Sequence, residues 1–211
     1  MQTGDLIEEL SRTMDKVNPA PSPWYLFAKW LLLSAIYITA VLLLFLHPRP
    51  DLPLKLHAIL FDMELLALAA VIISSLLSAA LLAFPDIYQQ KKLTFLPIAA
   101  FAVFCIVLLA EWHGDTPPSP LPRHAMACLR CITLLSLLPE AFILYNIRKL
   151  ASTHYYLAGC LSFLAAFAIG ALALRLAEPT DSIIHLLQWH YLPMAAVAGI
   201  GLLAGKLCLK W

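Results

Sequence analysis

Charge is scarce in this sequence: Asp, Glu, Lys and Arg make up 13% of its 211 residues, roughly half the share of about 25% found in soluble domains. The deficit excludes a water-soluble globular body, because 62% of the residues are apolar and fall in long blocks between short polar joints. Neither sign is in excess, and a net charge of +1 excludes a bulk nucleic-acid surface, so no direct nucleic-acid contact is expected. Catalytic patterns are missing as well. There is no nucleophile, base and orienter set, no Gly-rich phosphate loop and no H-E-x-x-H, so no catalytic residue is assigned, no cofactor is implied and an enzyme is not the expected class. The first 23 residues hold Asp5, Glu8, Glu9 and Asp15 and lack both a basic start and a small-residue cleavage site, so no cleavable signal is expected.

What the sequence does contain is apolar blocks of about 17 to 20 residues: Trp30 to Leu46, Leu65 to Phe84, Leu93 to Ala110, Tyr155 to Leu174 and Leu186 to Gly205. About 20 apolar residues carry a helix across roughly 30 Å of hydrocarbon, so each block qualifies once its flanks are included. A sixth span runs from about His124 to Ile147, interrupted by charge. The expectation is an all-α polytopic integral membrane protein, a six-transmembrane-helix bundle over residues 24–211 with spans near 25–47, 60–84, 93–112, 124–147, 154–176 and 186–207. Residues 1–23 form a short cytoplasmic amphipathic helix and a Pro-rich linker ahead of it. The joints are short and proline-bearing, as in "HPRPDLP" (47–53) and "GDTPPSPLP" (114–122), which leaves no room for a second domain.

Orientation follows from Lys and Arg beside the joints. With the amino terminus cytoplasmic, that side receives Arg12, Lys16, Lys29, Lys91, Lys92, Arg148, Lys149, Lys206 and Lys210. The other side receives Arg49, Lys55, Arg123 and Arg175, with Arg130 inside the fourth span. The bias predicts both termini inside. Small residues in the second, fifth and sixth spans let helices approach closely, and "GLLAG" (201–205) has the G-x-x-x-G spacing that marks either packing within a chain or a homodimer.

Before the first span, "TGDLIEELSRTMDKVN" (3–18) places Leu6, Ile7, Leu10, Met14 and Val17 on one helical stripe. Asp5 and Glu8 resemble a capping box. A helix this short is marginal alone in water. It must dock on the lipid bilayer, on its own bundle or in the groove of a partner, where the same stripe would supply the anchors.

In the fourth span His124, Cys128 and Cys131 recur at i, i+4 and i+7 and share one face. Thiolates and imidazole there suit a soft or borderline metal, the two cysteines suit a strained disulfide, and either would make a sensor. The alternative is that the cysteines are ordinary small apolar residues, since no second C-x-x-C follows. His47, His57, His113, His185 and His190 also fall at the outer boundary. His185 and His190, however, stand five residues apart, about 140° out of phase on an α-helix, and are expected to make a poor metal pair. Arg130 and Glu140 are intramembrane charges about 15 Å apart along the helix, so each needs its own partner or water. Arg130 can snorkel or meet Asp62, Glu64 or Glu111; Glu140 follows Pro139 and is expected to face the bundle interior with Tyr145 or Asn146 within a turn or two. A small transporter or ion-conducting bundle around these charges, and a thiol-based membrane redox protein using Cys128 and Cys131, are the competing functional classes.

Several strings taken in order resemble the negative-regulator-of-sigma-F (NrsF) family of bacterial membrane anti-sigma factors: "TGDLIEEL" (3–10), "RPDL" (49–52), Cys128 followed by "LLSLLP" (134–139), "LAGCLSFLAAFAIGALAL" (157–174), "LLQWH" (186–190) and "GLLAGKLCLKW" (201–211). The resemblance implies a bundle that holds an extracytoplasmic-function sigma factor at the inner membrane until envelope stress releases it. Asp5, Leu6, Ile7, Leu10 and Met14 would contribute to the sigma-binding surface, together with the Lys91–Lys92 and Arg148–Lys149 joints. Family members that look like thiol sensors carry a second cysteine before a proline after the fifth span. Here that place is Glu178, in "AEPTDS" (177–182). The resemblance therefore leaves two routes to a sensor: Cys131 substitutes for the missing thiol, or Glu178 is an oxygen ligand to a metal also held by Cys128. Which metal is not assigned.

Overall fold

The computed structural model describes residues 4, 7, 8, 11, 20–85, 88–112 and 122–210, with residues 88–91 and 122–125 described by their backbone alone. Six helices are long and apolar enough to cross a membrane: α1 (Pro23–Leu46), α2 (Ile59–Leu82), α3 (Leu96–Trp112), α4 (Pro122–Arg148), α5 (Tyr155–Ala177) and α6 (Ile183–Cys208). Among the described residues every regular element is helical. Of the leader, Gly4, Ile7, Glu8 and Ser11 are helical; Asp5, Leu6, Leu10 and Met14 lie outside the described residues.

Local chemistry explains where the helices begin and how they tolerate hydrocarbon. Ser22 caps α1 by accepting from the Tyr25 amide at 3.2 Å, and Pro23 follows at the first position, where its missing N–H removes no bond. Inside the spans, Ser34, Thr39, Ser74 and Thr133 donate to carbonyls four residues earlier. These hydroxyls are thus satisfied within their own helix, where no water is available.

The bundle is built around α2 and α5, whose apolar windows are 72% buried, against 11% for α1. α5 packs on α2, α4 and α6, and α3 and α1 lean on α2. Small residues make the central position workable. A Cβ on Gly170 would lie 2.7 Å from the Ile132 carbonyl of α4. One on Gly159 would lie 2.4 Å from the Gly201 carbonyl and 2.6 Å from the Gly205 Cα of α6. The "GLLAG" glycines therefore make a contact within the chain, backbone against backbone. Outward, Leu43, Leu44, Phe45, Leu66, Ile106, Leu134 and Leu207 are exposed on different helices, the apolar exterior that a lipid-embedded bundle presents.

Two helices carry π turns, at Leu42–Leu46 in α1 and Leu186–Tyr191 in α6. The second has a cause in sequence: Pro193 has no N–H and its ring clashes with the carbonyl four residues back, so the helix ahead of it widens.

Candidate metal centre

At the end of the bundle opposite Pro23 and Cys208, α4, the end of α5 and the start of α6 converge on one buried cluster. Cys128, Glu178, His185 and His190 each offer a donor atom, and these atoms all lie within 4.8 Å of one another. Cys128 sits on the inward face of α4, and its thiol donates to Glu178 Oε2 at 3.2 Å. Glu178 caps the carboxyl end of α5 in extended conformation. His190 Nε2 stands 3.3 Å from the same oxygen, and His185 Nε2 lies 3.6 Å from Oε1. Both imidazoles are fully buried, with ring centroids 5.2 Å apart.

The two histidines reverse the expectation of a poor pair. The π turn between them closes its hydrogen bonds at i→i+5, as the Leu192 amide does on Leu187. Residues five apart then come onto one face. Among its described residues the fourth span contributes Cys128. Cys131 is half-buried and both thiols are free, so the disulfide is not formed; the side chain of His124 lies outside the described residues. The cluster thus combines two residues drawn from the sequence, Cys128 and Glu178, with two that helical arithmetic set aside.

A buried ionic network holds the Glu178 segment. Arg175 donates to both oxygens of Glu64 at 2.9 to 3.1 Å, and the hydroxyl of Tyr191 donates to Glu64 as well. Arg175 also reaches the Thr180 carbonyl at 3.1 Å and Asp181 at 3.2 Å. From the first distal joint, Arg49 forks onto Asp51 at 2.7 Å and onto Asp181 at 3.0 and 3.1 Å, while its amide donates to the Leu176 carbonyl at 3.0 Å. Lys55 adds a contact to Asp181 at 2.7 Å. Both guanidinium groups lie over the Phe61 ring, at 4.6 and 5.7 Å. Residues 175–181 are therefore pinned on either side of Glu178, and Tyr191 pins the position after His190.

The sequence profile of a family described as negative regulator of sigma F matches residues 10–211. The chain belongs to that family. No curated protein and no solved structure matches it. The family is a regulatory one, and a sigma factor is the partner its description names.

In this NrsF-family chain Arg130 takes the snorkelling alternative and Glu140 faces the bundle interior, but neither has the side-chain partners named from the sequence. Arg130 is exposed on α4 rather than paired with Asp62, Glu64 or Glu111. Glu64 is taken by Arg175, which reads in sequence as a joint residue but is 4% exposed. The geometry prefers Arg175 because it enters from the central helix at the depth of Glu64. Glu140 is buried against α5, where Ser162 donates to its Oε1 at 3.0 Å. Tyr145 is exposed, and Asn146 donates to the Phe142 carbonyl instead.

The network also sets a pH dependence. Burial pushes the Asp181 carboxyl up, but the Arg49 and Lys55 hydrogen bonds and the Arg175 charge outweigh it and hold it well below the usual range. Arg49 likewise holds Asp51 down, and the Asp51 hydrogen bond raises Arg49. A carboxyl depressed in the folded state stabilises fully above its unfolded value, about 3.9, and that contribution is lost as pH falls through the folded value. The thermal midpoint gap between the wild type and Asp181→Asn is therefore expected to stay constant from pH 7 to pH 5 and to shrink in stronger acid. A gap that closes between pH 7 and pH 5 would contradict this assignment.

Proposed function

We propose that the chain is a membrane-bound anti-sigma factor that retains an extracytoplasmic-function sigma factor at the bacterial inner membrane and releases it on envelope stress. The family match over residues 10–211 carries the reading. Its support in this chain is a set of six helices long and apolar enough to cross a membrane, a Lys and Arg bias that favours cytoplasmic termini, and an amphipathic leader before the first span. Residue Ile7 of that leader is 63% exposed, as an anchor awaiting a partner's groove would be. Binding through Asp5, Leu6, Ile7, Leu10 and Met14 places the sigma factor on the face opposite the buried cluster. Release then requires a shift of packed helices rather than direct contact.

The leader is testable without disturbing the bundle. Leu6→Asp puts a charge in the anchor row, and a hot-spot loss of at least ~2 kcal/mol corresponds to roughly 30-fold weaker retention. The expected result is that the sigma factor no longer co-purifies with membranes while the variant inserts at wild-type levels. Undiminished co-purification would remove the leader from the binding surface.

A further inference from the structure

The geometry points to a divalent-cation site at Cys128, Glu178, His185 and His190, of the closed four-ligand kind taken by zinc-class ions. The inference concerns ion binding alone and holds whether or not the chain retains a sigma factor.

Four features carry it. The first is donor chemistry: one sulfur, two imidazole nitrogens and one carboxylate form the mixed set that borderline ions favour. The second is spacing. Bonds of ~2.3 Å to sulfur and ~2.0–2.2 Å to nitrogen and oxygen put tetrahedral donors ~3.3–3.8 Å apart. Three of the six donor separations, 3.2 Å from Cys128 Sγ and 3.3 Å from His190 Nε2 to Glu178 Oε2 and 3.6 Å from His185 Nε2 to Oε1, lie close to those edges, and all four donors lie within 4.8 Å of one another, so loading requires the remaining donors to close in through side-chain shifts. The third is burial. His190 is fully buried and neither of its ring nitrogens makes a hydrogen bond among the described residues, an arrangement that is costly for an imidazole with no ligand to serve.

The fourth is charge. On loading, the Cys128 thiol gives up its proton to water, because the thiolate is the ligand form. A thiolate and a carboxylate then carry two negative charges, with two neutral imidazoles beside them. A dication brings the site to zero net charge, the state least penalised in a buried, low-dielectric location. A monovalent ion would leave one buried negative charge uncompensated, so the charge count selects a dication. Four protein donors leave no open position, which distinguishes the site from a catalytic one. Its donors come from three helices, so an occupied site ties α4 to the α5–α6 pair at that end of the bundle.

The test uses the full-length protein, purified metal-free in detergent, and titrates it with Zn²⁺ against a chromogenic chelator and with Co²⁺ by absorption. The expected result is one ion per chain, a thiolate-to-cobalt charge-transfer band, and visible bands of the intensity that tetrahedral cobalt shows. Cys128→Ser should abolish the charge-transfer band. Both Cys128→Ser and His190→Gln should weaken zinc by more than the ~10–100-fold that loss of an outer supporting partner costs. Cys131→Ser, outside the cluster, should bind as the wild type does. Helical circular dichroism and a single elution peak establish that each variant is folded. Zinc should raise the thermal midpoint of the wild type but not of Cys128→Ser. Absence of stoichiometric uptake by the folded wild type, the outcome for a cluster that takes only protons, would overturn the proposal. So would uptake that is unchanged in Cys128→Ser and His190→Gln.

Discussion

Replacing Arg175 by methionine is expected to destabilise the bundle by about 3–5 kcal/mol, the usual consequence of leaving one member of a buried ion pair behind. Glu64 is fully buried on the central helix α2, and Arg175 supplies three of its hydrogen bonds while Tyr191 supplies another. Without the guanidinium, the carboxylate is left without its charge partner in a dry site. The companion variant separates charge from packing. Glu64→Gln keeps an acceptor for the Tyr191 hydroxyl and removes the charge, so Glu64→Gln combined with Arg175→Met should recover most of the loss, because an ion pair replaced as a unit is often near neutral. Thermal midpoints of the two single variants and the double variant in one detergent give the coupling directly. A loss below about 1 kcal/mol for Arg175→Met would show that the Arg175–Glu64 pair does not hold the bundle together.

The same residues show how far the sequence could be read. The six spans were legible because hydrocarbon demands long uncharged blocks, and nothing in the tertiary structure overrides that requirement. The Arg175–Glu64 pair was not, since Arg175 stands at the end of an apolar block and reads as a joint cation. The usable signal was the occurrence of opposite charges at one depth, at the start of the second span and the end of the fifth. The cluster was half legible. Cys128 and Glu178 were available as positions, Glu178 only through its register against a family pattern. His185 and His190 were set aside because a fixed 100° per residue was applied to a stretch that widens into a π turn. Pro193, three residues beyond His190, was the warning that the regular period would fail. For Arg130 the sequence left two alternatives, a snorkelling side chain or a buried acidic partner, and the structure takes the first, with the side chain exposed.

The second large effect is expected where α5 meets α6. Gly159→Ala would set a methyl group 2.4 Å from the Gly201 carbonyl and 2.6 Å from the Gly205 Cα, and both obstacles are backbone, so no side-chain rotation relieves them. Prying apart two helices packed this closely should cost at least the ~1–3 kcal/mol typical of overpacking, and Gly201→Ala, which meets the Gly159 carbonyl at 2.6 Å, should behave alike. Gly199→Ala is the internal control. It lies on the same helix as Gly201, a Cβ there meets nothing within 4 Å, and replacing a helical glycine by alanine should leave stability unchanged or raise it by up to about 1 kcal/mol. The contrast bears on the proposed release, because the tight contact makes α5 and α6 one rigid pair whose opposite end carries Glu178, His185 and His190. A signal that moves α4 against that pair is transmitted along the bundle only if the pair does not splay. Equal midpoints for Gly159→Ala and Gly199→Ala would mean that the helices stand further apart than this packing requires, and a rigid α5–α6 lever would then have no basis.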